Sequence, residues 1–176
     1  MATLQDQRYT AVARWLHWII AVLVIWNIVS GLGHDALPRG QAILVMGLHI
    51  SSGLTILALS VLRLAWRLTH RPPPLPPMKP WQVGLAHGVH WGFYALMILL
   101  PITGWIMISD GPFPIRWFSL LTVPKLAVSK GDAIVDASGE GHEIMGIIMA
   151  LLVVFHIGAA LWHQFSVRDN LLARMK

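Results

Sequence analysis

Four histidines stand in stretches that otherwise read as hydrocarbon: His17 in "RWLHW", His49 in "GLHISSG", and His142 and His156 at the ends of "HEIMGIIMALLVVFH". The last two are fourteen residues apart. At about 100° and 1.5 Å per residue, a helix returns them to within about 40° of one another with roughly 21 Å of rise between them. They therefore share a face at two depths. Ionisable groups inside a bilayer are costly and mark functional sites by default, and imidazole pairs with no open coordination position suit six-coordinate haem iron made for electron transfer rather than oxygen binding. Satisfied core imidazoles, or polar glue in a lipid-packed bundle, would be the purely structural alternative. The chain has no cysteine, which excludes disulfides, thiolate-held iron–sulfur clusters, Cys-based zinc sites and covalent c-type haem. "HEIMG" opens like the zinc-protease H-E-x-x-H, but Gly146 stands where the second histidine is required, so that motif fails.

The elements that position these residues follow from composition. The 176 residues are 56% hydrophobic and 12% charged, about half the charged share of a soluble domain, and the nine tryptophans suit membrane interfaces. The expectation is a single integral-membrane domain over residues 1–176, an all-α bundle of four transmembrane helices at about 12–32, 42–64, 83–108 and 141–165, each apolar all round and long enough for a hydrocarbon core about 30 Å thick. The first span is too long for the apolar part of a signal peptide and lacks a clear cleavage site. "RPPPLPPMKP", residues 71–80, reads as a stiff extended connection. The stretch from Ser109 to Glu140 has too much proline to be a fifth span, and Pro101 leaves the Met97 carbonyl without its donor inside the third helix.

Lys and Arg set the orientation. A cytoplasmic N-terminus gathers Arg8, Arg14, Arg63, Arg67, Arg71, Lys79, Arg168, Arg174 and Lys176 inside and leaves Arg39, Arg116, Lys125 and Lys130 outside, so both termini are expected in the cytoplasm. Depth then pairs the histidines. His17 on helix one lies opposite His156 in the inner half, and His49 on helix two lies opposite His142 near the outer surface. Two stacked bis-histidine sites make a dihaem electron wire, with two non-covalent b-type haems as cofactors. Gly53 and Gly146, each four residues after a ligand, would let a flat porphyrin approach the backbone or simply allow close helix packing.

The remaining histidines divide into readings left side by side. His87 and His90 share a face of helix three near the cytoplasmic surface; they line a quinone pocket, hydrogen-bond at an interface, bind a metal, or replace an inner haem ligand. His163, seven residues past His156, is the strongest rival ligand and also a candidate for the quinone pocket, but it would lie at headgroup level. His34 and His70 fall at span ends. Arg14, Arg63 and Arg67 pair with haem propionates or anchor helix ends at anionic lipid.

With "RWLHW", "GLHISSGLTILALSVLRLAWR", "GLAHGVH", "LPITGWIM", "GHEIMG", "FHIGAALWHQF" and "DNLLARM" in order, the chain resembles the prokaryotic cytochrome b561 family, related to the cytochrome b subunits of nickel hydrogenases and formate dehydrogenases. The resemblance covers nearly the whole chain. It implies that His17 and His156 bind the inner haem and His49 and His142 the outer one, the pairing that depth gives independently. It also implies an oxidoreductase of the bacterial inner membrane that oxidises superoxide outside and reduces ubiquinone, with no catalytic acid–base dyad or nucleophile beyond the haems.

Arg116, Lys125 and Lys130 form an acid-free basic run in the outer loop, suited to steering superoxide only if the fold clusters them over the outer haem, because Asp35, Asp110, Asp132, Asp136, Glu140 and Glu143 outnumber the four outer bases; the competing reading is a surface loop whose cations are solvated or neutralised by lipid phosphate. Lipid, superoxide and ubiquinone are the expected partners, and nucleic acid is not. The alternative function is a membrane-anchor subunit that takes electrons from a partner hydrogenase or dehydrogenase and passes them to quinone.

Overall fold

The structure is a computed structural model that describes residues 8–74, 78–169 and 171–175. Residues 75–77 of the proline-rich connection lie outside the described residues. Four helices, α1 (Ala11–Gly33), α2 (Arg39–Thr69), α3 (Pro80–Ser109) and α4 (Ala133–Trp162), follow one another up and down, and α4 returns to touch α1. All four are long and apolar enough to cross a membrane. Between α3 and α4 lies a small antiparallel hairpin, β1 (Ile115–Trp117) and β2 (Leu121–Val123), with Ile115 opposite Val123 and Trp117 opposite Leu121. One end of the bundle thus carries the chain termini and the other carries the hairpin.

Local chemistry sets the helix ends. The Thr10 hydroxyl accepts from the Ala13 N–H at 3.3 Å and caps α1, satisfying one of the donors a helix start leaves orphaned. Pro80 opens α3, where its missing N–H costs nothing, and the Gln82 side chain accepts from the Lys79 N–H at 2.9 Å. Three helices run past the spans that hydropathy predicts: α2 reaches Thr69 rather than 64, α3 starts at Pro80 rather than 83, and α4 starts at Ala133 rather than 141. Hydropathy reports residence in lipid, whereas a helix continues into water wherever its backbone bonds persist. Asp136 in the first turn of α4 suits the positive end of the helix dipole. At its far end α4 gives way at His163 to one π-helical turn, so the helix proper stops three residues short of 165.

The core is a narrow seam of Ile20, Val24, Ile56, Tyr94, Leu96, Met97 and Met149, while Val22, Val29, Val154 and Phe155 stay exposed. That inverted balance fits a bundle solvated by lipid. Polar pairs tie the helices together: the Asn27 Nδ2 donates to Ser52 Oγ at 2.8 Å between α1 and α2, a bond of a kind that contributes about 0.6 kcal/mol on average in a membrane.

The hairpin is held to the helices, not merely looped between them. Ser51 Oγ accepts from the Phe118 N–H at 2.9 Å and reaches the Arg116 carbonyl at 3.2 Å, and Trp117 Nε1 donates to Thr55 Oγ1 at 3.0 Å. Its turn has φ of 46° at Phe118 and 61° at Ser119, the doubly left-handed geometry that matches strand twist and normally selects Asn-Gly. Residues with a Cβ pay about 1–2 kcal/mol each for that conformation; the bonds to Ser51 and Thr55 hold them there.

Candidate functional site

His17 projects from α1, His49 from α2, and His142 and His156 from α4. The ring centres of His17 and His156 are 6.3 Å apart with planes at 71°, and those of His49 and His142 are 6.2 Å apart with planes at 67°. Two imidazoles gripping one metal from opposite sides, each through a nitrogen about 2 Å from it, hold their ring centres about 6 Å apart. Both pairs have that span, and α4 supplies one member of each, with fourteen residues or about 21 Å of helix between them. Among the described residues no group of three or more His, Cys, Asp or Glu side chains is gathered as a metal site. The pairs therefore suit a metal whose remaining ligands arrive with it, as a porphyrin's do.

Hydrogen bonds at the hairpin end agree with this. His142 Nδ1 lies 3.0 Å from the Leu100 carbonyl, an acceptor only, so Nδ1 carries the proton and Nε2 is left free. His49 Nδ1 lies 3.0 Å from Ser30 Oγ, whose own proton goes to the Asn27 carbonyl at 3.2 Å. Backbone space is provided from the neighbouring helices. A Cβ on Gly104 would stand 3.1 Å from His142 Cε1, and one on Gly31 would stand 3.1 Å from His49 Cε1. The glycines that sequence singles out behave differently: a Cβ on Gly53 meets Asn27 Oδ1 at 3.6 Å, and one on Gly146 meets nothing within 4 Å. Gly53 is thus a packing position against α1, and Gly146 faces open space on the His142 side of α4.

The termini-end pair has a third imidazole nearby. The His90 ring centre is 6.2 Å from that of His156, and Phe93 stacks edge-on to His156 at 5.2 Å. His90 and His87 line a cavity of about 150 Å³ with Tyr9, Arg67 and Pro72–Pro74, so part of the connection expected to be a plain linker walls a polar pocket. His163 is not brought to that cavity; its Nδ1 meets Asp169 Oδ2 at 2.6 Å in the π-helical turn. Arg63 and Arg67 fold onto Tyr94 at 5.7 Å and 5.6 Å from its ring centre, and Arg67 also lies 5.9 Å from that of Trp91. Of the loop cations, Arg116 is exposed on β1 and lines a cavity of about 660 Å³ between the hairpin, α2 and α3. Lys125 turns back to donate to the Gly111 carbonyl, and Lys130 is exposed.

Sequence reading missed Ser30, Gly31, Leu100, Gly104 and the Tyr9–Arg67 wall. One signal was available: Asn27 and Ser30 are polar residues three apart in an apolar span, hence on one helix face.

A membrane-spanning helical bundle with paired histidines between its helices is the class that this fold and site define. The chain belongs to the prokaryotic cytochrome b561 family, whose model matches residues 8–176. It is 30% identical over 173 residues to the probable superoxide oxidase CybB of Yersinia pestis, covering 96% of each chain. It is 30% identical over 172 residues to cytochrome b561 homolog 2 of Escherichia coli K12, covering 96% of this chain and 91% of the relative. Cytochrome b562 of Cereibacter sphaeroides is 28% identical over 177 residues, with 97% and 96% covered. Membership implies b-type haem and transmembrane electron transfer in a bacterial multi-pass membrane protein.

Proposed function

We propose that the protein oxidises superoxide at the hairpin end and reduces ubiquinone, with His49 and His142 holding one b haem and His17 and His156 a second. The observation that carries this reading is the pair of ring separations, 6.2 Å and 6.3 Å, sharing α4. The relative named as a probable superoxide oxidase supports the choice of donor. When bound, a b haem held by these imidazoles would supply reversible one-electron transfer. The reaction balances as two superoxide anions and one ubiquinone, with two protons, giving two dioxygen and one ubiquinol. Superoxide surrenders an electron without moving a proton or breaking a bond, so the protein's task is positioning and charge.

The chain's residues divide that task. The excess of Lys and Arg at the termini end supports a cytoplasmic side for that end and an outer side for the hairpin, in the bacterial inner membrane. Ser51 pins the Arg116 carbonyl to α2 two residues from His49, so β1 holds a cation at the level of the outer pair, with Lys125 and Lys130 further along the same loop. Their field raises the local concentration of an anionic substrate. Neutralising Arg116, Lys125 and Lys130 together is expected to lower the second-order rate with superoxide by about 10-fold at low salt, and by less at high salt. Stopped-flow measurement over a range of ionic strength checks it. At the termini end His87 and His90, beside Tyr9 and Arg67, form a polar pocket next to His156 that receives the quinone headgroup and its protons. His163, held by Asp169, orders the end of α4 outside that pocket.

The deciding experiment adds superoxide to the reconstituted protein with and without a ubiquinone analogue and measures quinol. Stoichiometric quinol supports the reading; haems that stay oxidised under superoxide overturn the donor and point to a partner redox enzyme instead. A smaller test concerns the ligand's surroundings. Gly104→Ala, which crowds His142 by a few tenths of an ångström, is expected to weaken haem retention at that site by about 10-fold, seen as partial haem loss on dilution in detergent.

A further inference from the structure

The two imidazole pairs are not supported alike. At the hairpin end both rings donate from Nδ1: His142 to the Leu100 carbonyl at 3.0 Å, with Thr103 Oγ1 at 3.3 Å, and His49 to Ser30 Oγ at 3.0 Å. Ser30 is 3% exposed, and its hydroxyl proton is committed to the Asn27 carbonyl at 3.2 Å. Its lone pairs therefore face His49, and the chain of donors runs one way, from imidazole to hydroxyl to carbonyl. Asn27 is itself fixed, donating to Ser52 Oγ at 2.8 Å and to the Leu23 carbonyl at 3.0 Å. Gly31, the next residue, leaves the His49 ring just enough room to lie in this cradle. At the termini end the surroundings are rings: Trp18 against His17 at 5.2 Å and Phe93 against His156 at 5.2 Å. Among the described residues neither His17 nor His156 makes a hydrogen bond through its ring.

An acceptor on Nδ1–H pushes electron density toward Nε2 and makes imidazole a stronger ligand. A stronger donor favours ferric over ferrous iron, and hydrogen bonding around the ligand is one of the levers by which a protein sets haem potential. We infer that Ser30 is a positioning residue that, with the Leu100 carbonyl, makes the hairpin-end pair the more electron-donating of the two. The hairpin-end site then has the lower potential, and an electron arriving there is biased toward the termini end. The inference rests on the proposed ligand pairs and adds to them a direction built from polar side chains on α1.

The test is an optical redox titration of the purified holoprotein and its Ser30→Ala variant. The expected result is that both haems are retained at micromolar protein, that the lower of the two midpoints rises while the higher stays in place, and that haem affinity at the affected site falls by about 10-fold to 100-fold. A packing role alone would leave the midpoints where they were. Unchanged midpoints in Ser30→Ala, with one haem lost from His49→Ala, overturn the role of Ser30 and leave the ligand pairs standing. Retention of both haems in His49→Ala overturns the pairs themselves.

Discussion

On the proposed pairing, replacing His142 with alanine is expected to halve the haem content of the protein. The His142 ring faces His49 across 6.2 Å, and without it the hairpin-end site keeps a single imidazole. Loss of a partner beyond the ligand costs about 10-fold to 100-fold in metal affinity; loss of the ligand itself costs more. The bundle survives the change. The Leu100 carbonyl that accepted from His142 retains the Thr103 hydroxyl at 2.9 Å, so no buried acceptor is stranded, and the cavity left by the ring costs about 2–5 kcal/mol. The termini-end pair, about 21 Å further along α4, shares no side chain with the lost site. Pyridine haemochrome assay against protein concentration should therefore give half the wild-type ratio. On the proposed function, superoxide-driven quinol formation should fall by at least about 100-fold, because the proposed entry site for the donor is gone. Loss of both haems, or of neither, would break the assigned pairing.

The spatial pairing of His17 with His156 and of His49 with His142 was legible because helical geometry converts residue number into depth. Fourteen residues between His142 and His156 fixed a face and a rise without knowledge of any other helix. The spans were legible for a related reason, since lipid demands long apolar runs, but their ends were not: nothing in hydropathy separates a helix that stops at residue 64 from one that continues to Thr69. Features that depend on two helices at once stayed hidden. Gly31 and Gly104 crowd imidazoles on neighbouring helices, whereas the sequence argument searched each ligand's own helix and proposed Gly53 and Gly146. Which residue of α3 meets His142 depends on tilt and rotation, and these are set by packing rather than by any local signal. The hairpin was hidden differently. Its turn uses Phe118 and Ser119 at positive φ where sequence reading looks for Asn or Gly, and contacts to Ser51 and Thr55 override that preference.

At the termini end, ring distance alone does not choose between two partners for His156, because His17 lies 6.3 Å away and His90 lies 6.2 Å away. The surroundings of the two rings differ. His90 stands at the wall of a cavity of about 150 Å³ shared with His87, Tyr9 and Arg67, which suits the polar quinone pocket proposed above. His17 is braced edge-on by Trp18 at 5.2 Å and sits on α1, which contacts α4 directly. His17→Ala is therefore expected to remove the termini-end haem and, with it, quinol formation. His90→Ala is expected to keep both haems and their spectra while quinol formation falls by about 10-fold to 100-fold, the usual contribution of a positioned proton donor being of that order or larger. The haem-to-protein ratio and the quinol rate, measured on both variants, separate the two roles. If His90→Ala loses haem and His17→Ala does not, the ligands are His90 and His156, and the quinone must be sought elsewhere at that end of the bundle.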